Sequence, residues 1–351
     1  MKTRTLFALA CALSVVTGAI APGTGAALAQ EVTLRVHHFL SPRASVPAGF
    51  IEPWAQKVMD ESGGRIKVEV YPAMQLGGAP PALYDQARDG VVDIIWTLPS
   101  YTPGRFPETE ALEVPMLTPI SAETASRGAW AFLSENAAER FADVHLIAAH
   151  MHGPGVIHKK GGPITAIGEF RGLKLRGPSR MASRLLEALG AVPVSMPVPA
   201  FPEALAKGVV DGGLIPLEVV PSLKVEELTD SHTRISGDRA LYNATFLFVM
   251  NKARYDALPD DLKAVIDANS GLEASAWAGR AMDAGDVAAL AVIEARGNVV
   301  AFTSDALTAE LAAVGAQVTA EWVAEMAGRG LEAQRLLEAA RAAMDAAAAG
   351  N

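Results

Sequence analysis

"MQLGGAPPALYDQARDGVVDIIW" (residues 74–96) and "MPVPAFPEALAKGVVDGGLIP" (residues 196–216) follow one plan. Each runs from a methionine through a Gly- or Pro-rich loop into a short helix and then an apolar strand, passing through the same tetrapeptide, Gly-Val-Val-Asp, at 90–93 and 208–211. Pro80, Pro81 and Pro202 suit the first turn of a helix, where a missing N–H leaves no bond unmade, and glycine commonly ends one. Four matching residues are weak evidence alone; the matching loop, helix and strand around them give the match its weight. The economical reading is two α/β domains of similar construction.

The flanking segments extend this pattern. "EVTLRVHHFL" (31–40) alternates as a strand, residues 47–62 have a helical pattern stopped by Gly63 and Gly64, and "RIKVEVYP" (65–72) alternates again. Strand, helix, strand is the start of a parallel sheet. "GLKLRGPSR" (172–180) is a strand halted by Gly-Pro, with Ser179 as N-cap of a helix reaching Gly190 and a strand from Ala191 to Met196 after it. "LYNATFLFVMNK" (241–252) reads as a further strand. Residues 258–297 are nearly all helical by pattern, and 306–348 read as Ala-rich helix.

With 351 residues, half of them hydrophobic, the chain can bury a sizeable core and is more in keeping with two domains than one. Lys2 and Arg4, an apolar run from Leu6 to Ile20 and Ala27-Leu28-Ala29 before Gln30 form the pattern of a signal peptide over residues 1–29. A membrane anchor is the rival reading, but the run falls short of the ~20 residues a bilayer span needs. Cleavage after Ala29 removes Cys11, the only cysteine, so the mature chain is expected to be periplasmic and free of disulfides. It also takes the formal charge from −9 to −11. So acidic a chain, with no basic cluster, is a poor match for nucleic acid, and any anion site needs its own local positive groups.

Phosphate loops, nucleophile elbows, metalloprotease motifs and dinucleotide fingerprints are all absent from the sequence. His37-His38 and His150-x-His152 lack metal-ligand spacing, so neither metal nor cofactor is expected. In "DIIWTLPSYTPGRFPETEALEVPM" (93–116) a buried strand runs into a Pro-stiffened loop with Trp96, Tyr101, Arg105 and Phe106. Ligands of α/β sheets sit beyond such strand ends, so these aromatics are either pocket walls or a loop packed on the core. Arg176 ends its strand just before a helix N-terminus; it is either a surface arginine beside Lys174 or a bidentate partner for a carboxylate.

The order of these motifs resembles the periplasmic solute-binding proteins of tripartite ATP-independent (TRAP) transporters, the DctP type. The resemblance covers essentially the whole mature chain and rests on "YPAMQLGG", "LYDQARDGVVDI", "PITAIGEFRGLKLRGPSR", "LLEALGAVPVSMP", "ALAKGVVDG" and "MNKARYDALPDDLKAVI". It implies an α/β flytrap of two domains, each a mixed sheet flanked by helices, with a long helix from near Ser270 spanning both. The domains would comprise residues 30–152 plus about 241–281, and 153–240 plus about 282–351 with the C-terminal helices. It also implies capture of a small organic acid, without catalysis, for delivery to the small and large membrane permease subunits, with Arg176 clamping the carboxylate. The His37, His38 and Phe39 strand end and the loop of Gln75, Gly77 and Gly78 would form one wall, and Trp96, Thr97 and Tyr101 another. Ser195, Met196 and Pro197, with Pro216 and Glu218, would close the cleft from the second domain, and His152 belongs to the same set.

Two departures bear on the ligand. Many sugar-acid-binding members carry a second arginine about twenty residues before the first, where this chain reads "HMHGPGVIHKK", and Gln-Glu-Asn where it has Gly213, Leu214 and Ile215. Fewer donors favour a less polar acid, since a buried hydroxyl without a partner costs about 1–3 kcal/mol. With Phe39, Trp96, Tyr101, Met196 and Phe201 nearby in the resemblance, an aromatic or hydrophobic monocarboxylate leads. A sugar-acid or dicarboxylate receptor, a receptor for an ATP-driven importer and a secreted enzyme on the same scaffold are the alternatives.

Overall fold

Gly90 and Gly208 both adopt positive φ, 73° and 69°, the left-handed conformation that lets a helix end in a tight reversal. After them the N–H groups of Val91 and Val209 donate to the carbonyls of Gln86 and Ala204, each at 2.9 Å. Asp93 then accepts from the backbone N–H of Arg35 and Asp211 from that of Lys174, both at 2.8 Å. The repeated tetrapeptide is thus one structural device used twice: it ends a helix and ties the following strand to its neighbour. Val91 and Val209 stand out from it, 55% and 49% exposed, and the apolar strand of the first unit begins only at Ile94.

A computed structural model describes residues 30–350; the signal peptide assigned to 1–29 lies outside the described residues. The strands are β1 (Val32–His38), β2 (Ile66–Tyr71), β3 (Ile94–Thr97), β4 (Val144–Met151), β5 (Gly155–Lys159), β6 (Lys174–Gly177), β7 (Val192–Ser195), β8 (Gly212–Pro216), β9 (Ser231–Arg234), β10 (Thr245–Asn251) and β11 (Val299–Phe302). They form a five-stranded sheet, β2-β1-β3-β10-β4, and a six-stranded sheet, β11-β9-β5-β8-β6-β7. In the first, β2, β1 and β3 are parallel and β10 lies antiparallel to β3; in the second, β7, β6 and β8 are parallel and β5 lies antiparallel to β8. In this correspondence β1 matches β6. His37, paired with Ile95, therefore holds the place that Arg176, paired with Gly213, holds in the second sheet.

The chain passes between the sheets through His152–Pro154, again between β9 and β10, and along the helix Leu272–Arg296. That helix is about 38 Å long at 1.5 Å per residue. It packs on the helix Ala122–Asn136 and β4 in the first lobe and on Leu217–Val219 and β11 in the second. Trp54 and Trp96, fully buried, anchor the first lobe's core, at about 2–3 kcal/mol apiece for burial on this scale.

The Ala-rich tail is two helices, Asp305–Gly328 and Ala333–Ala348, parted at Gly330 (φ 83°). Assigned wholly to the second domain by sequence, it divides. The first of the two lies on the helix Arg180–Ala188, while the last lies on Ala122–Asn136, where Gly128 leaves room for Met344: a Cβ there would come 2.8 Å from its Sδ. Across the lobes, Glu110 meets Arg180 in an ion pair and accepts from Trp322 Nε1 at 2.9 Å.

Candidate functional site

A partly open cavity, about 380 Å³ counting the solvent-filled space at its mouth, lies between the carboxyl ends of the parallel strands of both sheets. The first lobe contributes Phe39, Leu40, Trp96, Leu98, Tyr101 and Phe246; the second contributes Arg176, Pro178, Val198, Pro216, Glu218 and Val219. His152, Tyr242 and Ala244 enter from the crossing segments.

Its first-lobe wall is an aromatic stack. Trp96 lies parallel to Phe39 (centroids 4.7 Å apart, planes 5° apart) and to Phe246 (5.1 Å, 9°), and Tyr101 meets Phe39 edge-on at 5.6 Å. The Trp96 Nε1–H donates to His150 Nε2 at 2.8 Å, which fixes the indole in its plane. Such a wall is apolar and rigid, suited to packing against a hydrophobic ring.

Opposite stands Arg176, only 2% exposed. Lys174 and Arg176 share one face of β6, but the strand runs from an exposed start into the space between lobes, so the first is solvated and the second buried. Its Nε donates to Met196 O (3.1 Å) and its Nη1 to Leu214 O (2.8 Å), which hold the guanidinium in place beside the Tyr101 hydroxyl. Gly213 provides the space: a Cβ there would come 2.7 Å from both Arg176 Cβ and the Phe201 ring. No carboxylate pairs with Arg176 among the described residues. Burial lowers its pKa, opposed by the nearby Tyr101 and Tyr242 hydroxyls. Tyr101 Oη accepts from Val198 N–H at 3.1 Å, leaving its proton to give, and Tyr242 Oη has no partner.

His152 Nδ1 donates to Gly153 O at 2.5 Å, since a carbonyl only accepts, and Nε2 is left as an acceptor; burial holds its pKa at about 4, so the ring is neutral. Glu218 is pushed up to about 8, first by burial and then by Asp286. The cavity thus carries one fixed positive charge and no fixed negative one at neutral pH.

Of the residues singled out from sequence, Phe39, Trp96, Tyr101, His152, Arg176, Pro216 and Glu218 line this cavity. The others do not. His37 turns to the other face of β1, where its Nδ1 pairs with Gln86 Oε1 (2.8 Å) and its Nε2 accepts from Leu76 N–H. His38 is buried beside Trp96, edge-on at 6.3 Å, and Thr97 is buried in β3. Gln75, Gly77 and Gly78 form an exposed turn whose Gly77 carbonyl accepts from Gln86. Ser195, Met196 and Pro197 border a neighbouring outer groove with Pro178 and Ser183, and Met196 reaches the cavity only through its carbonyl on Arg176. Leu214, Ile215 and Phe201 are buried away from the cavity, so its apolar character comes from Leu40, Leu98, Val198, Val219 and Phe246 instead. Sequence reading missed Tyr242, Ala244 and Phe246, though they stand at i, i+2 and i+4 along one strand approach, the spacing of a single face. Among the described residues no group of three or more metal-binding side chains forms, and no helix is long and apolar enough to cross a membrane.

Two lobes joined by crossing segments, with a cavity between them that carries a buried guanidinium, define a binding protein of the flytrap class. The bacterial extracellular solute-binding protein family 7, the DctP family, matches residues 36–325, and the chain belongs to it. Its solved relatives are TRAP solute-binding proteins, which bind small organic acids and work with TRAP membrane permeases. A marine metagenome protein specific for aromatic acid ligands, solved with 3-hydroxybenzoate, is 45% identical, with 90% of this chain and 98% of that one covered and a TM-score of 0.88. A protein of Rhodoferax ferrireducens, solved with copurified benzoate, is 46% identical over 91% of this chain and 99% of that one, with the same TM-score. One from Bordetella bronchiseptica, with bound mandelate, is 28% identical over 89% and 98%, with a TM-score of 0.81.

Proposed function

We propose that this protein is exported by its signal peptide, captures an aromatic monocarboxylate in the periplasm and hands it unchanged to a TRAP permease. The observation that carries the reading is Arg176: a buried guanidinium without an acidic partner, facing an aromatic wall. An unpaired buried charge costs several kcal/mol, and a ligand carboxylate supplies what is missing. Among the described residues Arg176 is the only Lys or Arg side chain lining the cavity, so a dicarboxylate would lack a second cation, and the walls offer few partners to the hydroxyls of a sugar acid. The aromatic acids bound by the two relatives at 45% and 46% identity support the same class.

The test is a thermal-shift screen of ligand-stripped protein against benzoate, hydroxybenzoates, phenylacetate, succinate and glucuronate. A ligand at a hundred times its Kd stabilises by about 2.7 kcal/mol, a shift of several degrees. Benzoate-type acids are expected to raise Tm; a shift from succinate or glucuronate alone sinks the proposal. Incubation with the bound acid, followed by chromatography, is expected to return it unaltered.

A further inference from the structure

Arg176 accounts for one end of a ligand, and Glu218 is left over. It lines the same cavity and is 6% exposed, yet its Oε2 has no hydrogen-bond partner. Buried carboxyl oxygens are seldom left so. Its backbone is held on two sides: its N–H donates to Asp286 Oδ1 (2.8 Å) on the long helix, and its carbonyl accepts from Ser45 Oγ (3.3 Å) of the first lobe. The helix closes tightly on it, since a Cβ at Gly285 would come 2.9 Å from Glu218 Cβ and 2.2 Å from Ser45 Oγ. The side chain therefore has little freedom to find a partner elsewhere. Burial and then Asp286 push its pKa up to about 8, against the opposing effect of the Ser45 hydroxyl, and no ion pair joins it to Arg176 among the described residues.

We propose that Glu218 is the specificity-determining residue for the far end of the ligand, pairing with a hydroxyl on the ring of an aromatic acid whose carboxylate Arg176 holds. A neutral carboxyl has one O–H to give and lone pairs to receive, which matches a phenolic hydroxyl in both senses. A second carboxylate there would find no cation, and a bare ring would leave the buried Oε2 unpaired in a mostly apolar cavity. The inference rests on the aromatic-acid reading above.

The experiment measures Kd by calorimetry for benzoate and its 3-hydroxy and 4-hydroxy derivatives, on wild type, Glu218→Met, Glu218→Gln and His152→Phe. Wild type is expected to bind one hydroxy acid at least tenfold more tightly than benzoate. Glu218→Met is expected to cut that preference below about threefold, with a cooperative melting curve close to that of wild type showing that the variant folds. Glu218→Gln, which keeps a donor and an acceptor, should retain most of the preference. Wild type binding benzoate and both hydroxy acids alike overturns the role of Glu218 and leaves the aromatic-acid reading standing. So does a preference that survives Glu218→Met and disappears in His152→Phe, which would assign the hydroxyl to His152 Nε2. No binding of any of the three acids overturns both.

Discussion

Replacing Arg176 by methionine keeps the length and apolar stem of the side chain and removes its charge and all of its donors. In the cavity it removes the one Lys or Arg cation that the described residues offer a carboxylate, in a position only 2% exposed and therefore poorly screened. Truncating one partner of a buried, hydrogen-bonded charge pair costs about 3–5 kcal/mol, so Kd for benzoate should rise by roughly two to three and a half orders of magnitude. The effect on folding has a different sign balance. Met196 O and Leu214 O lose their donors, at about 1–3 kcal/mol each, while the cost of an unpaired buried cation is relieved. Stability should thus move far less than affinity. Arg176→Lys keeps the charge but cannot serve two carbonyls and a bidentate carboxylate at once, and should fall between the two. Calorimetric titration of ligand-stripped protein, with displacement for the weak variant, reads the affinities, and a melting curve checks the fold. Binding by a folded Arg176→Met protein within tenfold of wild type would refute the clamp.

Burial also predicts how stability follows pH. Glu113 and Glu218 are pushed up to about 8 and Asp286 to about 7, so from pH 4.5 to 8 these carboxyls hold protons in the folded chain that the unfolded chain has released, and their contribution to stability falls as pH rises. His38, His152 and His232 are lowered to about 4, His150 to about 3, and His158 well below its ordinary value. Below pH 6.5 it is therefore the unfolded chain that gains protons, and these histidines outnumber the carboxyls. Tm should peak near pH 6.5 and fall on both sides, each group contributing at most about 1.4 kcal/mol per pH unit; a steady rise in Tm from pH 6.5 to 8.5 would contradict this. Gly213→Ala forces a Cβ against Arg176 and Phe201, so stability should drop by about 1–3 kcal/mol in denaturant melts and benzoate should bind more weakly. Unchanged values on both counts would show that Arg176 does not depend on that glycine.

Much of the architecture was legible because the chain states it twice. Gly-Val-Val-Asp performs the same capping and cross-strand bonding at 90–93 and 208–211, and local pattern suffices to place the strands around it. Arg176 was legible from its place at a strand end together with the order of motifs, not from the nonapeptide alone. The misplaced residues fail for a geometric reason. His37 and Phe39 are two apart yet part company, because β1 ends at His38 and the chain bends before Phe39 reaches the cavity. Tyr242, Ala244 and Phe246 come to the cavity only because β10 returns to pair between β3 and β4, some 150 residues away from the former in sequence, and local periodicity carries no trace of that pairing.

The correspondence of His37 and Arg176 has a consequence for how a ligand is met. Two halves built alike have divided the labour: in one, the equivalent position is tied up with Gln86, and the half turns a sheet of rings to the cleft; in the other, it carries the charge. Charge acts over several ångströms of electrolyte, whereas ring stacking acts only at contact. On the function proposed above, an incoming anion would be drawn to the second half before it meets the rings of the first, so that attraction and scrutiny would be separated in time by having been separated in space.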